Sequence, residues 1–392
     1  MVEAGRSGVG LAAAGLSLIA VCYGLARFAY GLFVPVLREE FALDGALAGV
    51  IASCSYAGYC VAIVLATLAT QRWGARSVAV AAGVTAAAGT ALIAAAGNAG
   101  LLAVGVVVAG SSTGLASPPL AAAVARWVAA DRADRVQTVI NAGTGLGVAV
   151  SGPVALLTSD NWRLAWWGFA LAAVAVTVWT ALAVPSGERD RPAERGGGGA
   201  RPPGAVRLLV AAAALGASSA AVWTFGRDVV VTVGGASELA STIMWIALGC
   251  AGLLGAFAGT LIGRIGLAAS WVLGMLLLAA ATAGLALGST LAPVMFVTAG
   301  LFGAVYIALT GVLLVWGTRV FPRRPAFGVG AAFLLIAIGQ VLGAPLVGLV
   351  TDLTSATWAF CLAAAVAVLG AVARPRAVDN DAVVVESALE QP

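Results

Sequence analysis

The chain alternates between long apolar runs and short breaks that carry charged or turn-forming residues. A hydrocarbon core of about 30 Å is crossed by about 20 apolar residues in an α-helix, so each run predicts one membrane-spanning helix. Twelve such spans are predicted, six on each side of one long polar loop. Their bounds are 10–36, 46–70, 77–97, 101–127, 136–158, 164–184, 207–232, 238–262, 267–288, 292–317, 327–350 and 355–373.

Composition supports a membrane protein. Hydrophobic residues make up 61% of the chain and charged residues 10%, whereas a soluble domain carries roughly 25% charged residues. The mean hydropathy is +1.03. A compact soluble domain of this size needs a polar surface that this chain cannot supply. The run lengths predict an all-α protein rather than a membrane β-barrel.

The distribution of arginine predicts the orientation in the cytoplasmic membrane. The chain has no lysine, and all but four of its 21 basic residues fall in segments on one side of the predicted spans. Short loops rich in Lys or Arg are retained on the cytoplasmic side. Both termini are therefore expected in the cytoplasm. The net charge of +4 follows from this bias, so it gives no support to a nucleic-acid partner.

The long polar loop divides the chain into parts. We predict a six-helix bundle over residues 1–184, a cytoplasmic linker over 185–206, a second six-helix bundle over 207–373 and a cytoplasmic tail over 374–392. The loop has many charged residues and a run of four glycines, Gly196 to Gly199. Such a composition cannot form a hydrophobic core, which predicts a flexible linker.

The two halves show an internal repeat at an offset of 192 residues. The offset pairs Arg72 with Arg264 and Gly74 with Gly266 in the loops after spans 2 and 8. It also pairs Gly147 with Gly339, Pro153 with Pro345 and Asp160 with Asp352. Many transporters are built from two such related bundles. We therefore expect the halves to be structural copies of one another.

These features carry a resemblance to a known family. Twelve spans arranged as six plus six, a basic central loop and a GxxxxRxG-like turn repeated in both halves resemble the major facilitator superfamily. The segment Leu25 to Gly31 (LARFAYG), together with Asn141 to Pro153 (NAGTGLGVAVSGP), is similar to YbfB/YjiJ-type permeases. The resemblance covers nearly the whole chain. It implies two pseudo-symmetric bundles with a solute site between them.

Two departures from the family pattern affect what the resemblance implies. The signature turn usually carries an acid before its arginine, and this chain has Gln71 and Gly263 there. The arginine of span 4 that many members use in proton coupling has no counterpart between Leu101 and Val108. Gating at Arg72, Gly74, Arg264 and Gly266 is therefore a hypothesis, and proton coupling is not carried over.

Arg27 is the leading candidate for function because it lies within a long apolar run. A charge at this depth in a membrane costs about 3 kcal/mol or more unless it is partnered. Tyr23 and Tyr30 lie at i−4 and i+3, which predicts one shared helix face. An arginine there can bind an anion bidentately or stack on a planar ring. The alternative is an architectural arginine bonded to carbonyls or hydroxyls of neighbouring helices.

Other polar and aromatic residues within spans extend this candidate site. We expect solute contacts from residues of spans 5, 7, 10 and 11, namely Asn141, Trp223, Tyr306 and Gln340. Arg227 aligns with Pro35, about 12 Å farther along the helix than Arg27, so Arg227 and Asp228 are candidates for gating or coupling. Gly152 and Pro153 predict either close packing or a hinge in span 5.

Several function classes are excluded or disfavoured. The chain has no histidine and no CxxC pair, which argues against histidine-based catalysis and metal sites. It has no GxxxxGK[ST] motif for ATP and no carboxylate pair within a span. We expect no catalytic residues, no cofactor and a monomer in the lipid bilayer. The prediction is a secondary transporter of a small organic solute, an organic anion or an aromatic compound; the alternative is a non-transporting receptor on the same fold.

Overall fold

The computed structural model describes residues 2–43, 45–158, 161–186, 202–322 and 324–376. Every regular element within these ranges is helical. Most of the predicted linker and nearly all of the predicted tail lie outside the described residues. Asp160, one member of the predicted repeat, also lies outside them.

The described residues form twelve helical segments, here α1 to α12, joined by short connections except between α6 and α7, where most of the intervening sequence lies outside the described residues. Among the described residues, eleven are long and apolar enough to cross a membrane, and α12 is a shorter apolar helix. The first helix, α1, consists of Val2–Ile19, the π-helical Ala20–Phe28 and Ala29–Glu40. The others are α2 (Gly45–Trp73), α3 (Ala75–Ala94), α4 (Ala99–Trp127), α5 (Ala130–Leu157), α6 (Trp162–Ala183), α7 (Ala205–Thr232), α8 (Glu238–Gly252, Leu253–Phe257 and Ala258–Ile265), α9 (Leu267–Leu287), α10 (Ala292–Val320), α11 (Pro325–Leu353) and α12 (Ala356–Val372).

The predicted all-α membrane fold is confirmed, and the predicted spans correspond one to one with the helices. The largest differences are at helix starts, since α1 begins at Val2 and α5 at Ala130. Hydropathy detects only the apolar part of a helix, whereas the backbone hydrogen bonds continue into polar residues at its ends. The extension of α11 to Leu353 brings Asp352 into a membrane helix, where sequence had placed it in a loop.

The structure bears out the internal repeat. Gly74 joins α2 to α3 with φ 81° and ψ 160°, and Gly266 joins α8 to α9 with φ 83° and ψ 160°. A positive φ of this kind is accessible to glycine and strains other residues. The offset of 192 therefore pairs two turns with the same backbone conformation.

Glycines also bring helices together at equivalent points in the two halves. Gly24 of α1 lies so close to Gly147 of α5 that a Cβ on Gly24 would be 2.3 Å from its backbone. The equivalent residues Gly216 and Gly339 allow α7 and α11 to approach in the same way. Close backbone approach through small residues is a main source of helix association in lipid.

The halves meet differently at the two ends of the molecule. We call the end where α1 finishes at Glu40 the distal end, and the opposite end the proximal end. At the proximal end α2 contacts α11, where a Cβ on Gly330 would be 2.7 Å from Thr67 Oγ1. Toward the distal end the same two helices separate around a cavity. The contact between α5 and α8 extends from Thr138 at the proximal side to Gly152, which packs on Ile246.

We expect Gly24→Ala to destabilise the protein by about 1–3 kcal/mol, because the added methyl group overlaps the backbone of α5. The thermal unfolding temperature of the detergent-purified protein measures this effect. Gly168→Ala in α6 is the matched control, since nothing lies within 4 Å of its added Cβ. Equal unfolding temperatures for the two variants would contradict the packing role of Gly24.

Candidate functional site

A cavity of about 690 Å³ lies between α1 and α2 of the first half and α7 and α11 of the second. Its deep end is formed by Arg27 and Tyr56, and its walls include Val34, Trp223 and Leu349. Asp228 and Asp352 line it near the distal ends of their helices. A pocket of this size, mostly apolar and with a few polar groups, is typical of a site for a small molecule.

Arg27 is held at the deep end by a residue from the other half of the protein. Its side chain is 8% exposed, and its Nη2 donates a hydrogen bond of 2.6 Å to Gln340 Oε1 on α11. Its buried Nε has no acceptor among the described residues. No described carboxylate forms an ion pair with it. The charge is thus partly satisfied within the protein and has donor capacity left for a ligand.

Aromatic rings surround the same guanidinium. Its Cζ lies 4.6 Å from the ring centroid of Tyr56, 4.7 Å from Tyr59, 5.1 Å from Phe28 and 6.0 Å from Tyr23. Rings within about 6 Å attract a cation through their quadrupoles. These rings provide electrostatic stabilisation without a countercharge, so the net positive charge at the deep end is preserved.

The local conformation of α1 helps to place Arg27. Residues Ala20–Phe28 form a π-helix, which is wider than an α-helix and is often found at functional sites. Gly24 in its middle leaves room for α5. Tyr23 and Tyr30 were predicted to share one helix face with Arg27. In the structure, with its π-helical turn, they line two different cavities, one on each side of Arg27.

A second, small cavity of about 10 Å³ lies on the proximal side of Arg27. Tyr23, Asn141, Tyr306 and Gln340 all line it. Asn141 Nδ2 donates to Ile307 O at 3.1 Å and to Thr310 Oγ1 at 2.7 Å. Asn141 therefore connects α5 to α10 and also lines the small cavity.

Trp223 joins the aromatic groups of the two halves. Its ring stacks on Phe28 of α1 with centroids 4.0 Å apart and an interplanar angle of 19°. Tyr306 of α10 lies 5.2 Å from Trp223 in an edge-on arrangement. Trp223 also lines the large cavity. Each of the seven residues predicted to contact a solute lines at least one of the two cavities that meet at Arg27.

The neighbouring charges Arg227 and Asp228 point to different surroundings. Arg227 is buried, donates to the carbonyl of Leu32 on α1 and to Ser241 Oγ, and forms an ion pair with Glu238 at 3.4 Å. Asp228 is exposed and lines the large cavity. They do not face each other, as expected for adjacent helix positions.

The remaining gating candidates lie away from the cavities. Arg72 and Arg264 are exposed at the last turns of α2 and α8, beside Gly74 and Gly266. Neither arginine forms an ion pair within the described part of the chain. In α5, Gly152 packs on α8 while the exposed Pro153 lies within the continuous helix.

Sequence reasoning missed three residues that line the cavities, Tyr56, Tyr59 and Asp352. A compositional signal existed for the first two, because the chain has only five tyrosines and all five line the two cavities. Tyr56 and Tyr59 are also spaced i, i+3, which places them on one face of α2. Asp352 was missed because the predicted span ended two residues before it.

Comparison with protein families agrees with this architecture. A family model described as Major Facilitator Superfamily matches residues 16–336, which is well over half of the chain. The chain belongs to the major facilitator superfamily. Membership of this superfamily, together with the helices long enough to cross a membrane, supports a role as a secondary transporter. Members of the family are generally not enzymes. A comparison with curated proteins finds no match.

The link between Arg27 and Gln340 is testable through stability. We expect Gln340→Leu to destabilise this superfamily member by about 1–3 kcal/mol, because a buried charged donor loses its acceptor. The double variant Arg27→Leu/Gln340→Leu should lose less free energy of unfolding than the two single variants lose together, since neither partner is left unsatisfied. Chemical or thermal unfolding of the four proteins completes the double-mutant cycle. Strict additivity would show that the two side chains do not interact.

Proposed function

We propose that the protein is a secondary transporter that moves a small organic solute, an organic anion or an aromatic compound, by alternating access. The observation that carries the proposal is Arg27. It lies buried at the end of a large cavity between the halves, surrounded by aromatic rings and with no ion pair to a carboxylate that the structure describes. Such a group attracts a carboxylate or another planar anion. The resemblance to YbfB/YjiJ-type permeases is part of this proposal.

The proposed orientation follows from the arginine distribution, with both termini in the cytoplasm of a cell whose cytoplasmic membrane holds the protein. The distal end then faces outward. The large cavity extends from Arg27 toward that end, so we assign the structure to a state with outward access. We further propose that one chain is the transporting unit, since the site is formed within it.

Alternating access requires the proximal contacts between halves to break. Asn141 bonds to Thr310 at 2.7 Å, and Arg319 pairs with Asp134 at 3.5 Å. The Arg319–Asp134 pair is partly exposed and contributes about 0–1 kcal/mol. A solute bound at Arg27 competes with Gln340, the acceptor from the second half. We propose that this exchange couples solute binding to movement of the halves.

Gating roles for the other predicted residues complete the proposal. Arg227 holds α7 to α1 at the distal end by donating a hydrogen bond to the Leu32 carbonyl. When the two halves move apart or together at this end, this hydrogen bond must be kept or replaced by another. Gly74 and Gly266 permit tight turns between neighbouring helices. Arg72, Arg264, Gly152 and Pro153 remain assigned to gating through the resemblance and their positions. Asp228 is the candidate for proton coupling, with facilitated diffusion as the alternative.

The direct test is transport by Arg27→Ala and Arg27→Lys variants that are verified as folded and inserted. We expect Arg27→Ala to reduce uptake or counterflow at least tenfold for an anionic solute, because the charge-assisted hydrogen bonds are lost. Arg27→Lys should retain part of the activity, since its charge remains but its bidentate geometry does not. Vesicle flux with labelled solute, identified by a thermal-shift screen of organic acids, measures both.

Arg374→Ala is the matched control, because it removes an exposed side chain that forms no ion pair within the described part of the chain. Normal counterflow by Arg27→Ala would overturn the site assignment. A ligand that stabilises the protein but shows no counterflow in the unmodified protein would support the receptor alternative.

Access to the cavity gives a second test. In a background with the five native cysteines replaced, we expect Thr351→Cys in the large cavity to react with a membrane-impermeant maleimide added outside intact cells. Thr310→Cys, which lines the small proximal cavity, should react far more slowly. Mass shift on gels measures the labelling. The reverse pattern would contradict either the proposed orientation or the outward access.

A further inference from the structure

The large cavity has opposite charges at its two ends. Arg27 forms the deep end, and Asp228 and Asp352 line the distal region. The offset of 192 places Trp223 level with Gly31, and the structure agrees, since a Cβ on Gly31 would lie 3.3 Å from Trp223 O. Asp228 is therefore about nine residues, or about 13 Å along the axis, beyond Arg27.

The two carboxylates have no countercharge among the described residues. Neither Asp228 nor Asp352 forms an ion pair with a described residue. Arg227, the nearest cation in sequence to Asp228, is committed to Leu32, Ser241 and Glu238. Among the residues whose side chains the structure describes, the charged groups that line the mouth of the cavity are thus both negative, next to low-dielectric walls that strengthen their field.

The deep end points independently to a ligand. Arg27 is more than nine-tenths buried, and its Nε has no acceptor among the described residues. Its only hydrogen-bond acceptor among them is the neutral amide of Gln340. A buried guanidinium gains most from an anionic acceptor, which the cavity leaves room to admit.

A singly charged solute satisfies only one end of this cavity. A simple anion is repelled by the two carboxylates at the mouth, and a simple cation is repelled by Arg27. A neutral aromatic solute would leave the charges at both ends of the cavity without a partner. Between the ends the walls are largely apolar, with Val34, Trp223 and Leu349 among them.

We propose that the solute is dipolar, with an anionic group bound at Arg27, a cationic group bound between Asp228 and Asp352, and an apolar spacer between them. The side chains at both ends extend into the cavity, so the two charges of the solute lie on the order of 10 Å apart. Organic zwitterions such as long amino acids or short peptides have this chemistry. The inference rests on the proposed function, because it uses Arg27 as the anion site, and it narrows the organic anion proposed above to one that also carries a cationic group.

A matched series of probes tests the inference on purified protein. 8-Aminooctanoate separates its charges by about 10 Å when extended, octanoate lacks the ammonium group, and octylamine lacks the carboxylate. Ligand-dependent thermal shifts give apparent dissociation constants. We expect 8-aminooctanoate to bind about tenfold more tightly than octanoate and octylamine to give no shift.

The variants assign the two charges. Asp228→Asn/Asp352→Asn should abolish the advantage of 8-aminooctanoate over octanoate, whereas Glu39→Gln should retain it. Glu39 is an exposed carboxylate at the same end of the protein but outside the cavity. Arg27→Gln should abolish binding of both acids.

Three results would overturn the dipolar solute: equal binding of the two acids to the unmodified protein, no shift with 8-aminooctanoate, or an advantage that persists in the double aspartate variant. A different result, octanoate binding that is unchanged in Arg27→Gln, would instead overturn Arg27 as the anion site of the proposed function. The two failures are therefore distinguishable.

Discussion

The arrangement of this protein depends on the cost of holding one guanidinium away from water. Arg27 cannot be placed at such depth without partners, and the described residues of the first half provide rings but no ion-paired carboxylate for it. Its hydrogen-bond acceptor, Gln340, comes from the second half. Arg27, whose buried charge needs partners, therefore lies where the two halves meet. Its hydrogen bonding depends on how the two halves are positioned relative to one another.

The contacts around Arg27 divide the interface between the halves into two regions. On the proximal side, Asn141 and the Thr67–Gly330 contact hold the halves together. On the distal side, α2 and α11 separate around the large cavity, although Arg227 still links α7 to α1. Glycine pairs at equivalent points bring helices of each half into close contact. Two closely packed halves with an uneven interface match the rocking movement that we propose.

Charge is also distributed unevenly along the cavity. If the solute is dipolar as proposed, a positive deep end and a negative mouth select it by the order of its charges as well as by size. Since the walls between are largely apolar, the spacer of such a solute would contribute through the hydrophobic effect and through contacts with aromatic rings. Specificity of this kind arises partly from repulsion of solutes that carry only one of the two charges.

The sequence by itself determined the membrane helices, the repeat and the presence of a charged residue, Arg27, within a membrane helix. Hydropathy and the cost of a buried charge are local properties, and the Arg72/Gly74 and Arg264/Gly266 turns recur at a fixed spacing. Only the tertiary structure decided that Gln340, 313 residues away, accepts from Arg27 and that Tyr56 and Tyr59 surround it. It also decided that Asp352 faces the cavity with Asp228. Such contacts depend on which helix faces meet, and that follows from packing of the whole bundle rather than from spacing along one helix.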